Sequence, residues 1–126
     1  MNPNNYASLE ASKRLVEAGI VLETEAGWYK IYRPGCHSFD MVLSLRSGNE
    51  KFYGDNFPAP SMTEVWRELP CWLEGYRSLM ITKSAGDELV CGYQKGLAVR
   101  DPMRRSINPT DALIDLLIWV RKEKGK

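Results

Sequence analysis

Cysteine and histidine are scarce in this sequence, which limits the redox and metal chemistry it can carry. The 126 residues include three cysteines and one histidine. Cys36, Cys71 and Cys91 are odd in number and widely spaced, which does not make a disulfide framework. Because no Cys-x-x-Cys pair occurs, a zinc site would need ligands brought together by tertiary folding alone. We therefore expect no metal, no cofactor and a reducing compartment.

A dominant charge sign and a long apolar run are also missing. Lys and Arg number 17 and Asp and Glu number 16, so net charge gives no support to nucleic-acid binding by phosphate neutralisation. The longest apolar run, Leu116 to Val120, is far shorter than the roughly 20 residues that span a bilayer. The first residues lack the basic and apolar regions of a secretion signal. These absences predict a cytoplasmic protein without a membrane partner.

Familiar catalytic motifs do not occur in the sequence. It has no phosphate-binding loop, dinucleotide-binding glycine pattern, serine nucleophile elbow or metalloprotease helix. Cys36 and His37, with Asp40 nearby, form the one cluster of catalytic residue types. A cysteine nucleophile needs its base within hydrogen-bond reach, whereas adjacent residues of a strand point to opposite faces. We therefore assign no catalytic residue, and an enzyme that uses Cys36 and His37 is the least favoured interpretation.

Local patterns predict helices and strands over most of the chain. Ser61 followed by Glu64 is typical of a capping box, and Pro70 ends the short helix that follows. Asn108 and Pro109 indicate the start of a longer helix. Other predicted elements are a helix from Tyr6 to Ala18 closed by Gly19, strands Trp28 to Arg33, Met41 to Arg46 and Lys51 to Tyr53, a hairpin of Leu79 to Thr82 with Leu89 to Tyr93, and a strand Gly96 to Arg100.

This order of elements predicts an α+β fold. We expect one antiparallel sheet of about four or five strands, with the N-terminal helix, the C-terminal helix and the short middle helix packed on it. A single domain is expected over residues 1–126, with 1–5 and 125–126 frayed. The last helix carries Ile114 and Ile118 off its main apolar stripe. A helix that is apolar on two sides is either sandwiched in the core or part of an oligomer interface, so self-association is an expected property.

Aromatic residues are plentiful, with four tryptophans and six tyrosines. Trp66 lies beside Val65 and Leu69 in the predicted apolar stripe of the middle helix, while Trp72 and Tyr76 follow the end of that helix. Large aromatic side chains left exposed tend to mark protein–protein contacts. Trp66, Trp72 and Tyr76 are therefore candidates for an interaction surface.

A second candidate surface is basic. Arg100 ends the predicted strand Gly96 to Arg100, and Arg104 and Arg105 follow it before the last helix. The alternative to a binding patch is a solvated loop at this place. Tyr93, together with Tyr76 and Trp72, could stack on bases beside such a patch. No sequence signature of a nucleic-acid-binding fold accompanies the arginines, and Asp101 dilutes their charge.

Four segments together resemble a known group of proteins. They are ASLEASKRLVEAGIVLETE near the N-terminus, the aromatic strand WYKIY, PAPSMTEVWRELP around the middle helix, and NPTDALIDLLIWVRKEKG at the C-terminus. In this order they look like a family of small uncharacterised proteins encoded by bacteriophages and prophages. The resemblance implies an α+β fold, a phage or prophage origin and a bacterial cytoplasm, and it supplies no catalytic residue, cofactor or partner.

The sequence therefore predicts a non-catalytic accessory protein that binds another protein, whose identity stays open and could include a second copy of this chain. The alternative is a nucleic-acid-binding module that uses the segment Arg100 to Arg105.

Overall fold

Three helices and six strands make up the described part of a computed structural model of the chain. The structure describes residues 5–32, 34–35, 38–45, 56–73, 75, 78–95 and 99–124, with the backbone alone at 94–95, 99–102 and 124. The elements are α1 (Leu9–Glu17), β1 (Ala26–Tyr32), β2 (Phe39–Leu45), β3 (Phe57–Pro58), α2 (Met62–Glu68), β4 (Leu79–Lys83), β5 (Leu89–Lys95), β6 (Val99–Ser106) and α3 (Pro109–Lys124). The α+β class is as predicted.

The strands form two antiparallel sheets, so the prediction of one sheet with four or five strands was wrong. The strand orders are β2-β1-β3 and β4-β5-β6. Strand β3 pairs with β1 over two residues, Phe57 and Pro58. Proline has no backbone N–H to donate to a ladder, and Pro58 is followed by Pro60 and then by α2. The chain therefore leaves the first sheet at this point, and the later hairpin builds a second sheet.

Helix α3 lies at the centre of the buried cluster. It packs against β5 and β6 and against both other helices. Its fully buried side chains are Thr110, Ala112, Leu113, Ile114, Leu116, Leu117 and Val120. Ile118 is partly buried and packs against the same cluster. The two-sided apolar pattern of α3 is therefore explained by packing within one chain, and it no longer indicates an oligomer interface.

The start of α1 is set by Ser8 and not by Tyr6, where the helix was predicted to begin. The Ser8 hydroxyl accepts a hydrogen bond of 3.2 Å from the N–H of Ala11, as an N-cap residue does. Tyr6 instead forms an isolated antiparallel bridge with Ser61. The residues before α1 thus join the start of α2 and do not extend the helix.

The faces of α1 also differ from the prediction. Gly19 closes the helix with a φ of 74°, as expected of a left-handed residue at this place. Leu15 is buried as predicted, but Ala11 and Ser12 are the other buried residues of the helix. Helical spacing predicts that Val16 lies on one apolar side with Leu9, Leu15 and Ala18, but Val16 is exposed. Small residues at the buried positions let α1 approach α3 closely.

Both predicted helix caps are present. In α2 the Ser61 hydroxyl accepts from the Glu64 N–H at 3.2 Å, and the Glu64 carboxylate accepts from the Ser61 N–H at 2.8 Å. In α3 the Asn108 side-chain oxygen accepts from the N–H of Thr110 at 2.9 Å. These bonds satisfy N–H groups that have no partner inside the helix. Helices α2 and α3 therefore begin directly after the capping residues Ser61 and Asn108, as the sequence pattern predicts.

A short N-terminal strap, residues Tyr6 to Ser8, connects the first sheet to α3. The carbonyl of Ala7 accepts from Trp28 Nε1 at 2.9 Å. The Tyr6 carbonyl accepts from Asn108 Nδ2 at 3.1 Å, and the Ser8 N–H donates to Asp111 Oδ1 at 2.8 Å. Trp28 belongs to β1, and the other two partners lie at the start of α3. The strap therefore fixes the base of β1 relative to the central helix.

Substitution of Asn108 tests the two roles of this residue. Asn108→Ala removes both the cap and the bond to Tyr6, and we expect the free energy of unfolding to fall by about 2 kcal/mol. Asn108→Asp keeps a capping oxygen but loses the donor to Tyr6, so we expect a loss of about 1 kcal/mol. Urea denaturation measures both losses. An unchanged stability of Asn108→Asp would show that the bond to Tyr6 contributes nothing.

Candidate functional site

The hairpin of β1 and β2 is the feature that the buried core explains least. Its strands pair in continuous antiparallel register from Ala26 with Leu45 to Tyr32 with Phe39. Aromatic and β-branched residues favour the strands, and Gly35 takes a φ of 75° in the connection between them. Strand β1 is buried near its base and becomes exposed towards the connection, whereas β2 is exposed at both of its ends.

Five large apolar side chains of this hairpin face solvent, with exposed fractions between 38% and 64%. We call them the hairpin surface: Ile31, Tyr32, Phe39, Val42 and Leu45. Residues that pair directly across an antiparallel ladder lie on the same face of the sheet. From the register, Tyr32, Phe39 and Leu45 share one face, and Ile31 and Val42 share the other. The hairpin is therefore apolar and exposed on both of its faces.

The aromatic end of the hairpin surface is ordered by ring contacts. Tyr32 and Phe39 meet edge to face, with their ring centroids 6.2 Å apart. The Lys30 Nζ atom stands 4.1 Å from the centroid of Phe39 and 5.3 Å from that of Tyr32. A cation over an aromatic ring is stabilising by about 0.5–1 kcal/mol at an exposed site. Lys30 thus lies against both exposed rings, and the contacts favour this arrangement of the two side chains.

The other end of the same face is anchored in the protein. Trp28, half-buried, donates to the Ala7 carbonyl, and its direct partner on β3 is Phe57. The Lys13 Nζ atom of α1 lies 5.8 Å from the centroid of the Phe57 ring. The Lys30 N–H donates to Asn56 Oδ1 at 2.9 Å. The face that carries Trp28 at the anchored base of β1 therefore continues to the exposed rings of Tyr32 and Phe39.

Strand β2 is at an edge of its sheet. Among the described residues its one ladder partner is β1. Its seven residues read FDMVLSL, and five of the seven are exposed. Exposed edges present unpaired backbone donors and acceptors, which proteins blunt with lysine, proline or bulges. Strand β2 has no lysine or proline, its one charged residue is Asp40, and its pairing with β1 has no bulge. Within the part of the chain that the structure describes, this edge is therefore able to accept another strand.

The predicted aromatic surface is exposed where the structure describes it. Trp66 is 50% exposed and Trp72 is 60% exposed. Val65 and Leu69 of the predicted apolar stripe are buried, whereas Trp66, whose burial the sequence left open, is half exposed. Trp72 forms an isolated bridge with Ser78. Tyr76 lies outside the described residues.

The predicted basic patch is on a strand and not in a loop. Arg104 pairs with Cys91 and Arg105 pairs with Val90 in the β5–β6 ladder. Since adjacent strand residues point to opposite faces, the two arginines diverge. The backbone of Arg100 lies farther along β6, opposite Gln94. The fold therefore does not bring Arg104 and Arg105 into one basic surface.

Tyr93, the sequence candidate for stacking beside these arginines, is not free to stack on a base. Tyr93 is fully buried, and its hydroxyl donates a hydrogen bond of 2.6 Å to the carbonyl of Pro70. Burial raises the pKa of Tyr93 to about 12. Tyr93 is therefore a core residue that links β5 to the end of α2.

Arg104 lines a groove of about 430 Å³ between α1, β6 and α3. The lining includes three basic and two acidic side chains beside Trp119: Arg14, Arg104, Lys122, Glu17 and Asp115. Arg14 Nε lies 3.0 Å from Asp115 Oδ1. Because opposite charges lie together here, the groove does not form a strong anion site.

The cysteines that the structure describes occupy contrasting environments. Cys71 is exposed and Cys91 is buried. The Cys91 thiol donates to the Ala112 carbonyl at 3.4 Å, as fits its prediction as a core residue. Burial is the main cause that raises the pKa of Cys91 to about 12; Asp115 raises it further and Arg104 lowers it. Cys36 and His37 lie outside the described residues.

Metal binding finds no support in the described residues, where no group of three His, Cys, Asp or Glu side chains could hold an ion. The three cysteines and His37 are the residues that tertiary folding would have to bring together for a zinc site. The structure describes two of them, Cys71 and Cys91. Their different burial shows that they do not share a solvent-exposed site.

Sequence reasoning missed all five members of the hairpin surface. The available signal was that β1 and β2 carry apolar residues at consecutive positions, as in Ile31-Tyr32 and Met41-Val42-Leu43. A strand with one solvated face alternates apolar and polar residues. Consecutive apolar residues indicate a strand that is buried on both of its faces. The sequence alone does not reveal that the rest of the chain leaves both faces of this hairpin exposed.

Thiol labelling tests the difference between the cysteines. At pH 8 we expect Cys71 to react with a maleimide within minutes and Cys91 to react at least about a hundredfold more slowly, because burial and the raised pKa both suppress its thiolate. Peptide mass spectrometry reads each position, and urea-unfolded protein supplies the control in which both react. Equal native rates would contradict the buried placement of Cys91.

Comparison with known proteins identifies no relative of the chain: no family model, curated protein or solved structure matches it. No helix among the described residues is both long and apolar enough to cross a membrane. The hairpin surface is therefore the feature on which a functional inference rests.

Proposed function

We propose that this chain is a non-catalytic accessory protein that binds another protein in the bacterial cytoplasm, with the hairpin surface as its binding surface. The observation that carries the proposal is the exposure of apolar side chains on both faces of the β1–β2 hairpin. A hairpin of two strands is at best marginally stable in water by itself. A partner that covered it would remove this apolar area from water.

The make-up of the hairpin surface also suits protein binding. Tyr32 and Phe39 contact each other and Lys30, and such contacts reduce the side-chain entropy that is lost when a partner covers the rings. Aromatic residues are enriched at the energetic centres of interfaces, while charged residues are depleted from interface cores. The exposed Trp66 and Trp72 offer further aromatic contact area.

The phage or prophage origin is a separate part of the proposal. Its support is the resemblance of the four sequence segments, in order, to small phage-encoded proteins. An accessory protein of such an element acts on proteins of the host cell, for example by interfering with a defence or redirecting a host factor. The hairpin surface is the place at which we propose that such a contact is made.

Photo-crosslinking in bacterial cells tests the binding surface. We place p-benzoylphenylalanine at Phe39 and, in separate proteins, at Leu45 and at Val21, which is 92% exposed outside the hairpin. We expect Phe39 and Leu45 to give the same protein adduct on a denaturing gel, because they share one face. Val21 serves as the matched control without an adduct. No adduct from either hairpin position would overturn the proposal.

The alternative, a nucleic-acid-binding module, predicts a mobility shift that weakens steeply with salt. We expect no such shift with DNA or RNA at 150 mM salt, because Arg104 and Arg105 point to opposite faces of β6. A shift that disappeared in the double variant Arg104→Ala, Arg105→Ala would instead favour the alternative.

A further inference from the structure

The sequence of β2 is symmetric about its central residue. On either side of Val42 lie an apolar residue, then a polar residue, then an apolar residue: Phe39-Asp40-Met41 before it and Leu43-Ser44-Leu45 after it. Two antiparallel copies of such a strand place like residue classes opposite each other. A two-fold axis places each residue of an edge strand opposite its counterpart in the second copy, so this pattern brings like residue classes together in every pair.

We propose that two copies of this chain associate through β2, in antiparallel register centred on Val42. The sheet β2-β1-β3 of one copy then joins the same sheet of the second copy. The result is one continuous sheet in the order β3-β1-β2-β2-β1-β3. This inference rests on the proposed function, because the second copy binds the hairpin at its β2 edge and enlarges the two faces that carry the hairpin surface. The register is the one that pairs all seven residues of β2 with their counterparts.

The face that carries the exposed rings becomes an unbroken apolar surface in this dimer. A two-fold axis perpendicular to the sheet keeps each face on its own side. Phe39 then lies opposite Leu45 of the second copy, and Met41 lies opposite Leu43 of the second copy, each pair occurring twice. Side chains that lie directly opposite each other across an antiparallel ladder contact each other and stabilise the pairing.

The opposite face avoids a clash of charge. Val42 meets Val42 of the second copy on the axis. Asp40, the one charged residue of β2, lies opposite Ser44 of the second copy and not opposite another carboxylate. Like charges directly opposite each other destabilise a ladder. The same strand is therefore complementary to itself in side chains as well as in backbone donors and acceptors.

Ser44 offers a test that is specific to this register. Within its own sheet Ser44 pairs with Gly27, which has no side chain, so substitution at this exposed position leaves the single chain intact. Ser44→Asp places a carboxylate opposite Asp40 at two symmetric places, whereas Ser44→Lys places an ammonium group there. We expect wild type to sediment at twice the 14.4 kDa chain mass, Ser44→Asp to raise the dimer Kd about tenfold, and Ser44→Lys to keep or lower it.

A cysteine at the axis provides an independent test. In the background Cys36→Ser, Cys71→Ser, we expect Val42→Cys to form a disulfide-linked dimer on mild oxidation. Ile31→Cys, on the same face but on β1, is the control that stays a single chain. Circular dichroism confirms that each variant is folded. Efficient linkage through Ile31 and none through Val42 would overturn the proposed register.

The outcomes separate this inference from the proposed function. A wild-type protein that stays a single chain at 100 µM would overturn the dimer. If the Phe39 crosslink then joined a different protein, the binding function would stand with another partner. A single chain without any crosslink at Phe39 would overturn both. Equal weakening by Ser44→Asp and Ser44→Lys would overturn the register.

Discussion

The structure depends on how the buried backbone of the N-terminal strap is satisfied. Ala7 is fully buried, and a buried peptide group without a partner would cost about 1–3 kcal/mol. Its N–H donates to the Pro60 carbonyl at 2.9 Å, and its carbonyl accepts from Trp28. The flanking residues bind the start of α3. One extended segment therefore joins β1, the entry to α2 and the central helix, and the placement of the first sheet follows from it.

That constraint fixes the base of the β1–β2 hairpin and leaves its far end uncovered. The second sheet differs, since α3 packs on β5 and β6 and buries Cys91 and Tyr93. In β2, by contrast, most side chains are exposed. Stability within one chain thus explains the second sheet, whereas it does not explain why Phe39 and Leu45 are apolar. A binding role for the first sheet accounts for both its sequence and its exposure.

Local features of the fold could be predicted from the sequence, because a few neighbouring residues determine them. Ser61 and Glu64 satisfy each other's N–H groups, and Asn108 caps α3 in the same local way. The division into two sheets and the exposure of Trp66 depend on contacts between distant segments. A helical spacing shared with Val65 and Leu69 does not tell which side of α2 the core covers. The hairpin surface was missed for this reason, since only tertiary packing shows that neither of its faces is buried.

An exposed apolar strand such as β2 has two explanations: it is tolerated at the surface, or it pairs with another strand. The residue pattern of β2 distinguishes between them. A strand that is merely tolerated at a surface has no reason to be symmetric, and natural edges are protected against pairing. Strand β2 has no proline or lysine, and its polar residues, Asp40 and Ser44, stand at equal distances from Val42. Antiparallel pairing about Val42 brings them opposite each other and joins apolar residues on the other face. The features that leave this edge unprotected are thus the features that make it complementary to itself.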